Sequence, residues 1–461
     1  AGAGAGENGA LTRVEETTSW RAAMKSLNVI LSVLGLLGSS VAGAQDWLQW
    51  RGPHFDGSAA EQKVALKFSK TEGLAWTAPM PGPSAATPVI HGDRVFVSST
   101  DSTTRSLVAM ALDRRTGKEL WRHTVADGDR RDDRSTYASP SPVTDGKHVW
   151  FFYGQGDLVA YTVEGKEVWR RNIQKDHGAF AFLWTFATSP LLHDGRLYLQ
   201  VLQRDVPVQG RGRTDGPIES YLLAIDPGTG KDLWRHVRPS EAREEARESF
   251  NTPTPYVHEG RAQLLITGGD AISGHDLATG AELWRWATWN PRKVTHWRLV
   301  PSPVAGAGIA LACAPKGDPI YAFKLGQKGL LPAEGYAWKS EERDLSTDVS
   351  TPLFYRGRFF VVNSDKMQLF CVEPATGKVL WKGQLPTPSK VEASPTATDG
   401  RIHLISHGGD VMVLGAGDKF EVLHQAAFGD GGRQELRSSI PIAHGQLFIR
   451  TDKALYATAA P

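Results

Sequence analysis

One phrase, Ala-x-Asp-x-x-Thr-Gly-Lys-x-x-Trp, recurs along this chain and limits its possible folds more than any other feature. Its clearest copies are residues 111–121 and 224–234, and variants end at Trp169, Trp284, Trp338 and Trp381. A second phrase precedes each copy: Ser-Pro or Thr-Pro, two apolar residues, a Gly turn and an apolar run. Self-similarity at roughly 40 to 50 residues is typical of propeller blades and solenoid arrays. The sequence therefore predicts a repeat architecture.

Within one unit the apolar pattern has the period of strands. Residues 350–382 contain four short runs rich in β-branched and aromatic residues, separated by turns that contain Gly, Asn, Asp or Pro. This spacing predicts a four-stranded antiparallel meander. A single sheet of this kind has two apolar faces and cannot bury both alone, so we expect each sheet to stack on copies of itself.

The Trp that ends each phrase is predicted to be structural. The Gly of Thr-Gly-Lys supplies the positive φ of a tight turn, and the Trp can then lie between neighbouring blades. The predicted docking residues are Trp76, Trp121, Trp169, Trp234, Trp284, Trp338 and Trp381. Four positions depart from the pattern, and looser docking is expected at each of them: Gly165, Gly274, Cys371 and His424.

Counting the Ser-Pro and Thr-Pro starts gives eight units, which open near Thr87, Ser141, Ser189, Thr254, Ser302, Thr351, Ser394 and Ser439. The eighth unit ends before it can supply its own fourth strand. Residues 64–68 and 73–76 offer that strand and place Trp76 in the repeated Trp position. We therefore predict an all-β, eight-bladed β-propeller of four-stranded antiparallel blades, closed by an N-terminal strand. A seven-bladed ring is the alternative.

The N-terminal region is predicted to be a targeting sequence. Residues 24–44 combine a basic start, an apolar run and a small-residue end, as a secretory signal peptide does. Cleavage is expected between Ala44 and Gln45, with residues 1–23 as a disordered or non-native extension. An uncleaved membrane anchor is the alternative. The propeller would then span 45–461 and be periplasmic or secreted, without a membrane anchor.

The charge balance gives no support for nucleic acid or an acidic membrane surface as a partner. With 52 Lys and Arg against 50 Asp and Glu, the formal net charge is +2. Nucleic acid and acidic membrane surfaces attract strongly basic proteins. We therefore expect neither of them as a partner. The protein is also expected to be a monomer.

The repeat resembles the pyrroloquinoline-quinone (PQQ) repeat, whose tryptophan-docking motif has the same Ala, Asp, Thr-Gly and Trp positions. Residues 47–53, Trp-Leu-Gln-Trp-Arg-Gly-Pro, also resemble the start of many secreted bacterial proteins with PQQ-like repeats. The resemblance covers nearly everything from Trp47 to Ala460. It implies the fold, and it relates the chain both to BamB-like scaffold proteins and to quinoprotein dehydrogenases. Because one fold hosts many functions, the site must decide between them.

Quinoprotein dehydrogenases, as the resemblance implies, hold PQQ over a pair of adjacent cysteines, with calcium bound by Glu and Asn and an Asp as base. The two cysteines of this chain, Cys313 and Cys371, are far apart in sequence and belong to different units. Both are interpreted as small buried residues, although a disulfide between them is an open alternative. We therefore expect no PQQ, no calcium and no catalytic residues. A PQQ-dependent alcohol or sugar dehydrogenase with a non-standard site is the alternative function.

The spacing of the histidines and of the acidic cluster predicts no metal site. His403 and His407 lie four residues apart on a predicted strand, about 13 Å, too far to share one zinc ion. Four other histidines sit at or beside the first turn of their units and are interpreted as exposed: His91, His193, His258 and His444. The acidic cluster at 127–133 lacks the spacing of a calcium loop.

The loops that enter each blade should converge on one end of the central channel, where propellers carry function. These loops contain Arg134, Tyr137, Trp184, Glu248, Asn251, His296, Arg298, Asp348, Glu392 and Arg437. From them we predict a binding site made of Trp184, Arg298, Asp348, Glu392 and Arg437. The predicted function is a non-catalytic scaffold or ligand-binding module, with an unknown protein or glycan of the cell envelope as its partner.

Overall fold

The chain divides into two units, Ala1–Ala44 and Gln45–Pro461, and short β-strands are the main secondary structure of the second. The computed structural model describes residues 1–2, 46–432 and 434–461. The predicted signal peptide at 24–44 lies outside the described residues. Within the described residues, no helix has both the length and the apolar character needed to cross a membrane.

The described residues form eight antiparallel blades, as predicted, and the closing strand β1 is Leu74–Pro79. Blade 1 contains β2 Val89–His91, β3 Arg94–Asp101, β4 Ser106–Asp113 and β5 Glu119–Asp127. Blade 2 contains β6 Val143–Thr144, β7 His148–Phe152, β8 Asp157–Thr162 and β9 Glu167–Asn172. Blade 3 contains β10 Leu191–His193, β11 Arg196–Val201, β12 Tyr221–Ile225 and β13 Asp232–Val237. Blade 4 contains β14 Thr254–His258, β15 Arg261–Gly268, β16 Ala271–Asp276 and β17 Glu282–Trp286.

The second half repeats this order. Blade 4 gains a parallel outer strand, β21 Gly329–Leu330. Blade 5 contains β18 Val304–Gly306, β19 Ile309–Cys313, β20 Ile320–Lys324 and β22 Trp338–Lys339. Blade 6 contains β23 Leu353–Tyr355, β24 Arg358–Asn363, β25 Gln368–Val372 and β26 Val379–Gln384. Blade 7 contains β27 Thr396–Thr398, β28 Arg401–Ile405, β29 Asp410–Gly415 and β30 Val422–Ala427, and blade 8 contains β31 Ile442–Ala443, β32 Gln446–Arg450 and β33 Ala454–Thr458. Two short helices lie in the connections, α1 Ile173–His177 and a 3₁₀ turn at Glu244–Arg247.

Ring closure combines the two ends of the propeller. Strand β1 pairs antiparallel with β33, so the N-terminal segment supplies the outer strand of blade 8. Trp76 lies on this strand, as predicted, but residues 64–68 form no strand. Val64 and Phe68 instead bury their side chains in the core of the closing blade, at 4% and 3% exposure.

Six docking tryptophans each tie one blade to the next. Trp76 covers Gly117, where φ is 72° and a Cβ would lie 2.6 Å from the indole, so only Gly fits. The indole N–H groups of Trp76, Trp121, Trp169, Trp234, Trp338 and Trp381 donate, at 2.6 to 3.2 Å, to the carbonyls of Arg114, Val163, Pro227, Leu277, Pro374 and Gly417. Each contact therefore combines apolar burial with a satisfied donor.

The four irregular positions differ in their docking: the bond to the next blade is kept beside Gly165 and Cys371, whereas the indole N–H of Trp284 donates to Tyr256 of its own blade at 3.4 Å. Trp121 covers Gly165 and keeps its hydrogen bond, and Trp381 keeps its bond opposite Cys371. Trp284 packs directly over Gly274 and is 1% exposed, because the missing methyl group makes room for the indole. His424 hydrogen bonds to the backbone of Phe68 and contacts its ring at 5.0 Å, so the position is filled.

A ring of hydroxyl groups joins the innermost strands. In blades 2 to 7 the Ser or Thr before Pro accepts the backbone N–H of its counterpart one blade earlier, at 2.9 to 3.2 Å. The accepting residues are Ser141, Ser189, Thr252, Ser302, Thr351 and Ser394. In blade 4 the ring uses Thr252 rather than Thr254, which begins the strand itself. The second repeated phrase thus encodes a lateral hydrogen-bond belt around the channel.

Residues 46–62, which we call the strap, cross one end of the channel. Trp47 exchanges backbone hydrogen bonds with Ile90 in blade 1, and the carbonyl of Leu48 accepts the amide of Thr144 in blade 2. The strap then reaches the other side of the ring, where Ala59 donates to the carbonyl of Ala397 in blade 7.

The buried Arg51 fixes the centre of the strap. Its guanidinium donates to the carbonyls of Pro352 and Pro395, at 2.9 and 3.0 Å, and to that of Asp56 within the strap. These bonds join the strap to the starts of the innermost strands of blades 6 and 7. Asp46 holds the beginning of the strap through His91 and His444.

Candidate functional site

The channel forms a cavity that we call the cup, with about 900 Å³ of empty space. Trp50, from the strap, lines it at one end. The hydroxyl ring lines its wall, and the loops that enter the blades form its rim. Those loops precede the innermost strands, whereas the backbone of the strap pairs further along the same strands, at Ile90, Thr144 and Ala397, and only the Arg51 side chain reaches back to their starts. The cup is therefore open at the loop end and covered at the strap end.

Trp184 stands at the rim between two arginines. The guanidinium carbons of Arg134 and Arg298 lie 5.5 and 5.9 Å from its ring centre, which is cation–π distance. Its indole N–H donates to Glu245 at 3.0 Å, and Glu245 also pairs with Arg298 at 3.3 Å. Arg298 is 6% exposed, while Arg134 is exposed. This group presents an aromatic face and a guanidinium to the cup.

The loop that carries Trp184 is held from below by Glu248. Both carboxylate oxygens accept the amide of Leu183, and Arg204 forms an ion pair with the same group. Burial raises the pKa of Glu248 to about 7 despite that arginine. Glu248 therefore positions the loop and does not face the cup.

Glu392 supplies the carboxylate of the cup and is already satisfied there. It accepts from His407 at 2.9 Å and from Arg437 at 2.6 Å. Burial alone would raise the pKa of Glu392, but the hydrogen bond from His407 and the charge of Arg437 lower it to about 2. Arg437 also pairs with Glu435 at 2.9 Å. Glu392 is thus a fixed anion that orients Arg437.

A second cavity, which we call the annex, adjoins the cup and has about 1230 Å³ of empty space. Arg134, Arg298 and Glu392 line both cavities. Asp348 lines the annex and accepts the amide of Lys316 at 2.9 Å. The annex extends the rim over the loops of blades 5 and 6.

The structure brings the five predicted site residues together. Four of them line the cup, namely Trp184, Arg298, Glu392 and Arg437, and Asp348 lines the neighbouring annex. Sequence reasoning did not assign Arg134, His407 or Trp50 to the site. Arg134 was visible as a residue of an entering loop. Trp50 and His407 gave no such signal, because their places depend on the path of the strap and on a turn of blade 7.

The donor set of the cup does not fit the calcium and PQQ site that the family resemblance implied. Cys313 and Cys371 are both free and buried within blades 5 and 6. Among the described residues, no group of three His, Cys, Asp or Glu side chains could hold a metal ion. Glu392, the one carboxylate that lines the cup, is engaged by a guanidinium and an imidazole.

Two histidines interpreted as exposed turn residues have another environment. His91 and His444 donate to the carboxylate of Asp46 at 2.8 and 2.7 Å, and their side chains are 36% and 19% exposed. His403 is buried, and burial lowers its pKa to about 3. His403 lies on β28, whereas His407 lies in the turn that follows this strand and hydrogen bonds to Glu392.

Several known proteins share this architecture. A polyvinylalcohol dehydrogenase from Sphingopyxis sp. is 24% identical over 53% of this chain, and the match spans 40% of that relative. BamB from Moraxella catarrhalis superposes with a TM-score of 0.54 at 13% identity, covering 83% of this chain and 97% of BamB. A quinohemoprotein alcohol dehydrogenase from Comamonas testosteroni gives 0.60 at 14% identity, covering 91% and 81%. At such identities the structural likeness shows the fold alone.

The match to a family extends over most of the sequence. The model described as outer membrane protein assembly factor BamB, built on PQQ-like repeats, matches residues 7–206, 183–328 and 332–450. With the repeat, the eight blades and the docking tryptophans all in place, the chain belongs to this BamB family of PQQ-like repeat propellers.

Proposed function

We propose that this protein is a non-catalytic binding protein that holds a ligand or partner in the cup. The observation that carries the proposal is the prepared rim, where Trp184 and three arginines surround a cavity with a covered end. Buried aromatic and Arg side chains supply most of the energy in many interfaces. Because Glu245 and Glu392 already fix Arg298 and Arg437, little conformational entropy is lost on binding.

The names of the relatives suggest a dehydrogenase as the second candidate. A catalytic base needs a carboxylate or imidazole that can accept a proton near neutral pH. Glu392 does not suit this task, since its pKa is held at about 2, and Asp348 lies outside the cup. These observations favour binding over oxidation.

The place of action that we propose is the cell envelope, in the periplasm or outside the cell. The family description names an outer membrane assembly factor, and residues 24–44 have the composition of a secretory signal peptide. Fractionation of cells that express the full chain tests this proposal. Recovery of the protein in the cytoplasmic fraction, with residues 24–44 retained, would contradict it.

A double variant tests the cup as the binding site. Trp184→Ala with Arg134→Gln removes the aromatic face and an exposed guanidinium while leaving the buried pairs of Arg298 and Arg437 intact. We expect loss of retention on an array of envelope glycans and peptides, with an unchanged melting temperature. Arg261→Gln is the matched control, because Arg261 is an exposed arginine on a turn at the strap end. Equal retention by the double variant and the control would refute the proposal.

The dehydrogenase alternative has its own measurement. Purified protein would be supplied with PQQ and calcium, and dye-linked oxidation of alcohols and sugars would be followed. We expect no turnover above that of free PQQ. Turnover that requires the protein and disappears in Asp348→Ala would promote the enzyme and remove the non-catalytic part of the proposal.

A further inference from the structure

The hydroxyl groups that line the cup can donate hydrogen bonds to a ligand. Each ring hydroxyl accepts a backbone N–H, but none of those lining the cup donates to an acceptor among the described residues. The cup-lining members that accept in this way are Ser141, Ser189, Thr252, Thr351 and Ser394, each less than 9% exposed. A hydroxyl has one donor proton. The wall of the cup is therefore a ring of hydrogen-bond donors.

The rim adds charged donors to this wall. Arg134, Arg298 and Arg437 face the cup, and Glu392 is the one acidic side chain that lines it. The annex is lined by six basic side chains and four acidic ones. Within the described chain, Arg134, Lys316, Arg343 and Lys366 have no carboxylate at salt-bridge distance, whereas Arg298 and Lys390 are paired. Cup and annex together are basic, although the whole chain is nearly neutral.

Acceptors are scarce in the same place. The carboxylate of Glu392 is held by His407 and Arg437. A peptide buried here would bring backbone N–H groups that need acceptors, and each unsatisfied donor costs about 1–3 kcal/mol. An acidic saccharide brings carboxylate or sulfate and ring oxygens, which only accept, and hydroxyl groups, which accept as well as donate and can use the remaining lone pair of each wall hydroxyl. The indoles of Trp50 and Trp184 can cover the apolar face of such a ring.

We propose that the ligand of the cup is an acidic saccharide, carboxylated or sulfated, with one sugar in the cup and the following acidic groups over the annex. The proposal rests on the proposed binding function and names its ligand class. The hydroxyl ring and Arg134 donate to the sugar in the cup. Lys316, Arg343 and Lys366 neutralise the acidic groups that follow.

Calorimetric titration with defined probes tests the ligand class. The probes are a short oligogalacturonate, a sulfated carrageenan oligosaccharide, the methyl ester of the oligogalacturonate and poly-L-glutamate. We expect binding of at least one acidic saccharide, weakened by salt as ion pairing requires, and no binding of the neutral methyl ester. Equal or tighter binding of poly-L-glutamate would overturn the saccharide in favour of an acidic peptide. No binding of either acidic saccharide would also overturn the proposal.

Three variants locate the binding. Arg134→Gln should weaken the acidic saccharide about tenfold or more, as expected for a lost charge-assisted hydrogen bond. Lys316→Gln with Lys366→Gln should reduce the salt dependence while keeping binding of the shortest saccharide. Arg261→Gln should change neither. If Arg134→Gln and Arg261→Gln bind alike, the saccharide does not occupy the cup and the proposal fails.

The two proposals can fail separately. If no acidic saccharide binds, yet the array shows another ligand that the Trp184 and Arg134 double variant loses, the cup remains a binding site and only the ligand class is wrong. If the double variant loses nothing, the binding function itself is wrong.

Discussion

The two ends of the channel each hold a buried carboxylate between two basic groups, but the basic groups differ. At the strap end, Asp46 lies between His91 and His444, at 2.8 and 2.7 Å. At the open end, Glu392 lies between His407 and Arg437, at 2.9 and 2.6 Å. Two imidazoles hold the first carboxylate, and a permanently charged guanidinium helps to hold the second.

The strap end helps to close the propeller ring, whereas the open end carries the proposed binding site. Asp46 and its histidines join the strap to blades 1 and 8, and they face other parts of the protein. Arg437 is oriented by Glu392 and faces the cup. One repeat therefore supplies two chemically distinct ends, because its short turns accept the strap and its longer loops carry the charges.

The largest expected effect is the loss of the fold on removal of the strap and β1. Deletion of residues 45–80 exposes the edge of β33 and uncovers the floor of the cup, so we expect aggregation or unfolding. Light scattering and circular dichroism measure the outcome. A truncated protein that melts like the full chain would show that neither element is needed for closure.

Two arginines provide a matched test of the two ends. Arg51→Met leaves the buried carbonyls of Pro352 and Pro395 without a donor and should lower the free energy of unfolding by about 2–4 kcal/mol. Arg134→Gln, at the exposed rim, should change it by no more than about 0.5 kcal/mol. Urea denaturation of both variants measures the contrast. Similar values for the two would mean that the ends do not differ in structural importance.

Acid should weaken the open end through Glu392. The pKa of this carboxyl is lowered from 4.5 to about 2, so its stabilisation is present above pH 4.5 and is lost as the pH falls towards 2. The shift corresponds to at most about 3 kcal/mol. Glu392→Gln should therefore lower stability by about 1–3 kcal/mol near pH 7, with the gap to wild type narrowing in acid. Exposed Glu72 gives the control Glu72→Gln, and a constant gap for Glu392→Gln at all pH values would contradict the argument.

The smallest effect is expected at the strap end in alkali. The hydrogen bond to Asp46 raises the pKa of His91, so its stabilisation is complete below pH 6.5 and is lost as the pH rises through the raised value. Arg94 opposes this shift and Asp145 supports it. Near pH 5, His91→Gln should be less stable than wild type by less than about 1 kcal/mol. Near pH 9 the two proteins should be about equally stable. Thermal melts across that range provide the measurement, and a gap that widens with pH would reverse the assigned sign.

The sequence predicts those parts of the fold that repeat. Eight blades, closure by a strand that carries Trp76 and the lateral packing of the tryptophans all follow from the two phrases, because each phrase recurs along the chain and encodes a similar turn each time. The position of 64–68 could not be predicted, because its apolar residues suit a strand and a buried irregular segment equally well. The deep burial of Trp284 over Gly274 depends on the register between β16 and β17, which cannot be derived from the sequence alone.

The candidate site was predicted only in outline. The five residues chosen from the entering loops meet at the rim because the loops must converge. Their partners, Glu245 for Arg298 and His407 for Glu392, come from segments whose approach depends on the tertiary structure. The hydrogen-bond donors of the cup wall could not be predicted. The sequence marks Ser-Pro and Thr-Pro as blade starts, but only the structure shows that their hydroxyl groups line the cup.

The strap also bears on how slowly the protein can come apart. A propeller closed by one strand can open at that strand, which for this chain means parting β1 from β33. Here the strap would still connect blades 1, 2 and 7 across the ring. Local opening near the termini therefore cannot spread until Arg51 and Trp47 also leave their sites. We expect a high barrier to global unfolding and a long lifetime against proteases.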